Sequence, residues 1–497
     1  MPKVVVVDCG STNLRAIAVD ERGQIVASAG RPNDAVPQPG QPQGYIIWDL
    51  DQLWEKICQV CREVAAQTDD IRAVNLTTWG ADGAPVRPDG SLAYPPICWQ
   101  DNRTEEIIAH LDDYLPAWDF YAATGYQIIP FNTLLKLIWL REHEPQTLED
   151  TQWLMMPGLL SFLLCGERSI ERTAAGTMMA MDMAAGDWSA PLLQLAGLDP
   201  SFFPKWVLPG DVIGQLSAAA AMATGLPSGI PVVAAGHDTQ FAAIGSGAQA
   251  GEAILSSGTW EILMLRQSQF QATRQGFEDG VLVECDAVPG VYNPQLLMMG
   301  SGVLEWIRGH FYRDLGEGEA AYARLSAEAG EVSPGAGGVS VLPSFVSSTG
   351  PAKRYHTQGT VLGLTITTSP AQVYRAALEG LTYQLRHALE VLRSSVGAQP
   401  ELIRVVGGGS KNALWNQLRA DVTGLPMITI EQKEATVVGA AMFAMLGAGV
   451  YSTLDEAQAH MTGAQTTVEP AGERGIHEAG YARYRQALES LSGFYGA

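Results

Sequence analysis

No apolar stretch of this chain approaches the roughly 18 residues that a membrane-crossing helix needs. The opening Val4–Val7 run stops at Asp8, too short for the apolar segment of a secretory leader. Cysteine is scarce, with six in 497 residues, and so sparse a set is no disulfide framework. Cys58 and Cys61 form a single CxxC inside an expected helix, Asp51–Ala66. No second CxxC or histidine pair accompanies it to complete a zinc site. Positive charge is short as well: 31 Lys and Arg stand against 53 Asp and Glu, a net charge of −22. A binder of phosphate backbones needs clustered cations, so neither nucleic acid nor an anionic membrane is expected as a partner. The expected setting is cytoplasmic.

The chain has much else to work with. Apolar residues make up 46% and charged residues 17%, the balance of a well-cored globular protein. Its length calls for two or three domains. The most informative pattern is an echo. Val4–Val7 runs into Asp8-Cys9-Gly10-Ser11-Thr12-Asn13 and a second apolar run, Leu14–Val19. About half the chain later, Ala253–Leu255 runs into Ser256-Ser257-Gly258-Thr259, followed by Trp260–Leu265. Both read as strand, small-residue turn and returning strand. Such turns expose backbone N–H groups and hydroxyls, which suits phosphate oxygens. Two of them suggest related halves facing each other across a nucleotide, and a chain this acidic would meet a nucleotide through a divalent cation.

Between the two turns, strand Ile71–Thr77 is expected to stop at Thr78-Trp79-Gly80-Ala81-Asp82-Gly83, residues 100–210 read as an insertion, and strand Pro231–Ala235 ends in Gly236-His237-Asp238-Thr239 where a helix starts. The boundary between two domains, 1–246 and 247–497, is placed in the Gly-rich stretch 245–252, which also reads as a hinge. Strand Ile403–Val406, the glycines Gly407-Gly408-Gly409 with Ser410, and a helix through Asp421 follow, then a small-residue helix, Ala435–Leu446, and a long amphipathic helix at about 474–492.

Several residues carry two readings from sequence alone. Asp8 is either a carboxylate on the metal side of a phosphate turn or a hairpin-turn aspartate. Asp238 is either a base for an attacking hydroxyl, beyond the end of a buried strand where ligands bind α/β sheets, or a helix cap. His237 is either a packing histidine or part of a site. Gly407–Ser410 lacks both GxxxxGK[ST] and GxGxxG, so it implies close approach of backbone to a flat or anionic ligand at a helix start. Asn412 then either reaches that ligand or lies on the helix surface. Trp79 with Asp82, and Trp99 with Asp101 and Arg103, offer aromatic faces beside polar groups, which is what a sugar needs. They read equally as core aromatics, as does Trp139.

Two long gapped segments go further. Phe131–His143, with Lys136 and Trp139, and Gly359–Gly363 followed by Gln372–Gly380 resemble, in order, the two signatures of the FGGY family of carbohydrate kinases. The likeness covers nearly the whole length. It implies an α/β fold of two ribonuclease H-like (actin-like ATPase) domains with a cleft between them. It also implies ATP as co-substrate, with Mg²⁺ or another divalent cation, a small ketose as acceptor, and a homodimer as a common assembly. The segments Gly236–Phe241, Leu255–Met264 and Ser301–Trp306 are similar to the members that phosphorylate L-fuculose on its C1 hydroxyl. L-Rhamnulose and ketopentoses are the other acceptors the family implies, and an actin-like or chaperone-type ATPase is the rival of another class. Gln100–Arg103 resembles the wider family's sugar loop. Carried over by resemblance, Asp238 is the proton acceptor and Asp8 the carboxylate on the metal side. Gly10, Ser11, Thr12 and Asn13 with Gly258 and Thr259 form the phosphate loops, and Gly408 and Asn412 the adenosine site. Trp79, Asp82, His237 and Asn293 would face the sugar.

Overall fold

The computed structural model describes residues 1–316, 318–346, 349–350, 353–431, 434–472 and 474–495. Its two main sheets repeat one plan. In the first, Lys3–Cys9, Asn13–Asp20 and Ile25–Pro32 form an antiparallel meander, and Ile71–Thr78 and Pro231–Val233 add in parallel on the other side of Lys3–Cys9. In the second, Ala253–Ser257, Trp260–Leu265 and Tyr292–Met299 form the meander, and Ile403–Val406 and Met427–Ile430 add in parallel beside Ala253–Ser257. Parallel neighbours need a crossover helix, and each sheet has one: Leu50–Ala65 in the first and Pro370–Val396 in the second. Both begin at a side-chain cap, Asp49 for one and Ser369 in a capping box with Gln372 for the other, which satisfies amide groups the helix itself leaves over. The expected meanders, the helix near 51–66 and the strand at 403–406 are all present.

The fifth strand of each sheet leads into a short, small-residue helix, Asp238–Gly245 or Ala435–Gly447. These two helices cross. A Cβ on Gly245 would lie 1.9 Å from the Ala435 carbonyl oxygen, and one on Gly439 would lie 1.9 Å from that of Phe241. Backbone therefore meets backbone, which only glycine permits. The same crossing joins the ends of the chain. Val437, Val438, Ala441 and Met445 pack in one cluster with Val4, Val6, Ile17 and Val233 of the first sheet. Segment 246–252 links the first of these helices to the second sheet.

Residues 100–210 form short helices and two-residue strand pairs around a cluster that includes Leu134, Leu137, Trp153, Met178 and Met183. The second sheet leans on this region: the Val283 N–H donates to the Gly125 carbonyl at 2.8 Å, and the Tyr292 hydroxyl to that of Met183 at 3.1 Å. The helix Arg474–Tyr495 closes over the second half by burying Tyr481, Tyr484 and Leu488. Among the described residues no helix is long and apolar enough to cross a membrane.

Candidate active site

Topology brings the chemistry to two sheet edges. Register pairs Asp8 with Thr77 and Cys9 with Thr78, and Thr78 bridges to His237. Asp8 and Asp238 thus stand at the carboxyl ends of two parallel strands that flank Ile71–Thr78, the place where α/β sheets bind ligands. In the second sheet, Ser256 pairs with Val406, which sets the Gly258-Thr259 turn beside Gly407-Gly408.

The first turn is closed by its own backbone: the Gly10 N–H donates to the Asn13 carbonyl at 2.9 Å. The second does the same, with the Gly258 N–H donating to the Trp260 carbonyl at 2.9 Å. These two glycine amides are therefore spent within their turns, a correction to the expectation that they face phosphate. Thr12, Asn13 and Thr259 are exposed and Ser11 half-buried, so they carry the outward-facing groups. Asp8 is buried on the strand, and Arg15, its register partner on the returning strand, donates to its Oδ2 at 2.6 Å. The same guanidinium reaches Glu434 at 2.9 Å. Burial pushes the Asp8 carboxyl above its ordinary range, partly offset by Arg15. Arg15 is the cation the sequence reading missed, although its place opposite Asp8 in the hairpin was a usable signal.

Asp238 opens the helix that follows the fifth strand, with His237 at the cap. Its Oδ1 accepts from the Thr239 N–H at 2.6 Å, and its side chain keeps 32% exposure, so one side of the carboxylate is open. Burial of the remainder raises its pKa, and the neighbouring His237 lowers it in part. His237 stands 3.4 Å from Asp238 and 3.3 Å from Glu284. Burial disfavours its charge, but Glu284, Asp238 and Glu171 outweigh that and lift it to about 9. Glu284, on the second sheet, offered no signal in the linear sequence. Asn293 is wholly buried, donating to Gln240 and to Asp286. It lies behind His237 in this network, not on an open face, which corrects its expected place beside the sugar.

The tryptophan region divides the same way. Asp82 is buried to 0% exposure. One of its oxygens accepts from the Trp48 and Trp79 indoles, each at 2.7 Å, and from the Trp99 amide at 3.1 Å. The other takes the Lys136 ammonium at 2.5 Å. So Asp82 holds the aromatic wall and offers a sugar nothing directly. Trp79 is nearly buried, its ring 4.2 Å from that of Trp48 and tilted by 36°, whereas Trp99 is 37% exposed. Ala81 between them has φ of 67°, a conformation costly without a reason. Here the reason is that its N–H binds Thr177 and its carbonyl accepts from Thr133 and Lys136. Asp101 and Arg103 pair with each other in the interior at 2.7 Å. The guanidinium also lies over Tyr45 and Trp139, so this loop is internally braced. Trp139 stacks on His143 at 4.6 Å and is a core aromatic.

A cavity of about 740 Å³ opens beside the second turn, lined by Leu304, Tyr322, Tyr374, Gly408, Asn412 and Leu414 among others. That volume is in the range of cofactor and nucleotide sites. Gly408 lines it with nothing within 4 Å of an added Cβ. Gly407 and Gly409 have another purpose: their Cβ atoms would fall 2.6 Å from the Ser257 carbonyl oxygen and 2.0 Å from its hydroxyl. At these two positions the close approach is thus to Ser257, and Gly408 is left facing the cavity. Asn412 caps the helix Ala413–Thr423 by accepting from the Trp415 N–H at 3.1 Å.

Known proteins agree in kind with this arrangement. Residues 3–245 match the N-terminal domain, and 253–448 the C-terminal domain, of the FGGY family of carbohydrate kinases. The chain is 39% identical to L-fuculokinase of Escherichia coli, over 92% of this chain and 95% of that protein. It is 34% identical to L-fuculokinase of Haemophilus influenzae, over 95% of this chain and all of that protein. The crystal structure of xylulose kinase from Rhodospirillum rubrum aligns along the whole of both chains with a TM-score of 0.87 at 26% identity.

Proposed function

The chain belongs to the FGGY family of carbohydrate kinases, with its two-domain actin-like architecture, and is an ATP-dependent sugar kinase; from that premise we propose that its acceptor is L-fuculose, phosphorylated on the C1 hydroxyl. The choice of sugar rests on the relatives of that name and their length of match. The observation that carries the chemistry is Asp238, a carboxylate with one open side at the end of the first sheet.

In this reading residues 1–246 hold the sugar and the base, and 247–497 hold ATP. Asp238 accepts a hydrogen bond from the C1 hydroxyl and orients its oxygen in line with the γ-phosphorus. The new O–P bond forms as the bond from the γ-phosphorus to the bridging β–γ oxygen breaks, ADP leaves, and the hydroxyl proton passes to Asp238. Because such transfers are loose, the proton need not leave early, and positioning is the larger contribution. Ser11–Asn13 and Thr259 present donors to the phosphates, and the 740 Å³ cavity takes the nucleoside. Trp99 supplies the exposed aromatic face for the sugar. Among the described residues no cluster of three His, Cys, Asp or Glu could hold a metal. That fits Mg²⁺, which is bound by one or two carboxylates plus phosphates. Asp8 is the carboxylate that would hold it, and the ion would neutralise phosphate charge. A cytoplasmic setting is part of the proposal, in keeping with six free thiols.

A coupled assay of ADP release over L-fuculose, L-rhamnulose, D-ribulose and D-xylulose tests the acceptor. The highest kcat/KM is expected on L-fuculose. A higher value on any of the other three would overturn the choice of sugar while leaving the kinase intact.

A further inference from the structure

The base is reached by a buried chain of polar groups that the phosphoryl transfer itself does not require. Glu284 lies on strand Leu282–Cys285, at the outer edge of the second sheet, yet it is 2% exposed and points across to the first-sheet site. Its Oε1 accepts from the Tyr126 hydroxyl at 2.7 Å, and its Oε2 accepts from the Gln240 amide at 2.5 Å. Oε2 also stands 3.3 Å from His237 Nδ1, while His237 Nε2 stands 3.4 Å from Asp238 Oδ1. One imidazole therefore spans two carboxylates, a buried one behind it and the open one in front. Behind Glu284 the chain continues through Gln240 and Asn293 to Asp286 and Arg266, and Arg266 donates to the Ala248 carbonyl in the 246–252 linker.

We propose that Glu284 is a positioning residue for the transfer step: it holds His237 as the imidazolium, and His237 in turn holds the Asp238 carboxylate ionised and aimed at the acceptor hydroxyl. The inference rests on the reading of Asp238 as the base. A buried carboxylate in an apolar interior is normally neutral or paired, and among the described residues the charged group that Glu284 contacts is His237. An open carboxylate that must accept a proton needs a cation to stay ionised against its own burial, and among the described residues no arginine or lysine pairs with Asp238. His237 is that cation. The titratable groups facing His237 are Glu284, Asp238 and Glu171. Glu284 faces Tyr126 in addition, with Cys285 next in the chain. The His237 charge draws Glu284 below the ordinary carboxylate range although burial alone would raise it. Because Glu284 comes from the second sheet and His237 from the first, the pair also ties the state of the base to the seating of one half on the other.

The test is the pH profile of kcat/KM for the sugar in the full-length enzyme. With His237 titrating near 9, the wild-type alkaline limb lies near there. Glu284→Gln removes the charge that holds the proton on His237. Its alkaline limb moves down by about one unit or more, while the acid limb does not rise, because His237 is still charged there and the Glu284 charge that raised Asp238 is gone. At pH above the displaced limb kcat/KM falls by about tenfold per unit, while KM for ATP is unchanged. Limbs that coincide with wild type overturn the proposal. Tyr126→Phe removes one bond to the same carboxylate but no charge, and both limbs stay. If it narrows the profile as Glu284→Gln does, the effect is packing and the proposal fails. His237→Asn leaves the Tyr126 and Gln240 bonds in place and raises the acid limb whether or not Glu284→Gln folds; an unmoved acid limb there is equally fatal. Asp238→Asn separates the two readings. If it retains turnover, the base is wrongly assigned; if it is inactive while the Glu284→Gln limbs do not move, only the role of Glu284 falls.

Discussion

The two strand–turn–strand units share a backbone and differ in where they put charge. In the first, Asp8 and Arg15 face each other across the hairpin, with the arginine side chain 35% exposed and shared with Glu434. In the second, the register pair is Ser257 and Glu261. Arg419, from the helix Ala413–Thr423, joins them with no exposure on either charged partner and its guanidinium 3.7 Å over Trp415. The first unit leaves its arginine partly exposed, where a substrate can compete for it, beside the buried Asp8. The second seals its ions beneath the turn, where they set backbone positions. The helices that follow the fifth strands differ in the same sense. One starts at Asp238, open on one side, and the other is capped at Glu434, whose carboxylate is engaged by Arg15. The two frames are alike, and the proposed reactivity lies in one of them.

The comparison breaks most sharply at the helix starts. Asp238→Asn keeps the shape and removes the proposed proton acceptor, so kcat is expected to fall by about 10²–10⁴ with ATP affinity nearly unchanged, as read by steady-state kinetics and nucleotide titration. Glu434→Gln, at the N-cap position of the corresponding helix in the other half, is expected to lose less than about tenfold in kcat, since a partly exposed ion pair contributes little. Equal losses in the two variants would mean that the halves do not divide the labour as described.

The two arginines give the next contrast. Arg419→Gln leaves Glu261 charged and buried without its partner, which costs about 3–5 kcal/mol of stability. Burial already raises Glu261 above the ordinary carboxylate range, and Arg419 holds it down in part. Arg15→Gln breaks a partly exposed pair and costs about 0–1 kcal/mol. Thermal or urea unfolding of both variants measures this. Similar losses in the two would show that the first turn depends on its ions for its shape, as the second does.

How much of this was legible in the sequence follows from the same distinction. Both strand–turn–strand units, the first crossover helix and the Gly-rich turns read directly, because alternation, caps and small residues are local signals, whereas the second crossover helix, Pro370–Val396, was not expected as a helix. Asp8 and Asp238 stood out because each follows closely on an apolar run. Asp82 and Asn293 were misplaced because a polar residue beside an open loop and one satisfied in the interior look alike in a linear pattern. Only the tertiary partners, Lys136 and three tryptophan donors for the one and Gln240 with Asp286 for the other, tell them apart. Glu284 was invisible for the opposite reason. It sits in an ordinary strand, and its partner His237 is brought to it by the packing of one half on the other.

The glycine run at 407–409 gives the finest test, since its members look interchangeable and the structure gives them different work. At Gly409 an added methyl would lie 2.0 Å from the Ser257 hydroxyl. That hydroxyl cannot move aside freely because it donates to Glu261 at 2.7 Å and accepts from Arg419 at 2.7 Å. Gly409→Ala should therefore cost about 1–3 kcal/mol, the usual range for overpacking. At Gly408 the methyl meets nothing of the protein and projects into the cavity wall. Gly408→Ala should unfold within about 0.5 kcal/mol of wild type, yet raise KM for ATP by about tenfold with the sugar KM unchanged. If Gly408→Ala left the ATP KM alone, the nucleoside would not lie against this wall. If Gly409→Ala cost nothing, the sealed network under the second turn would be looser than its hydrogen bonds imply.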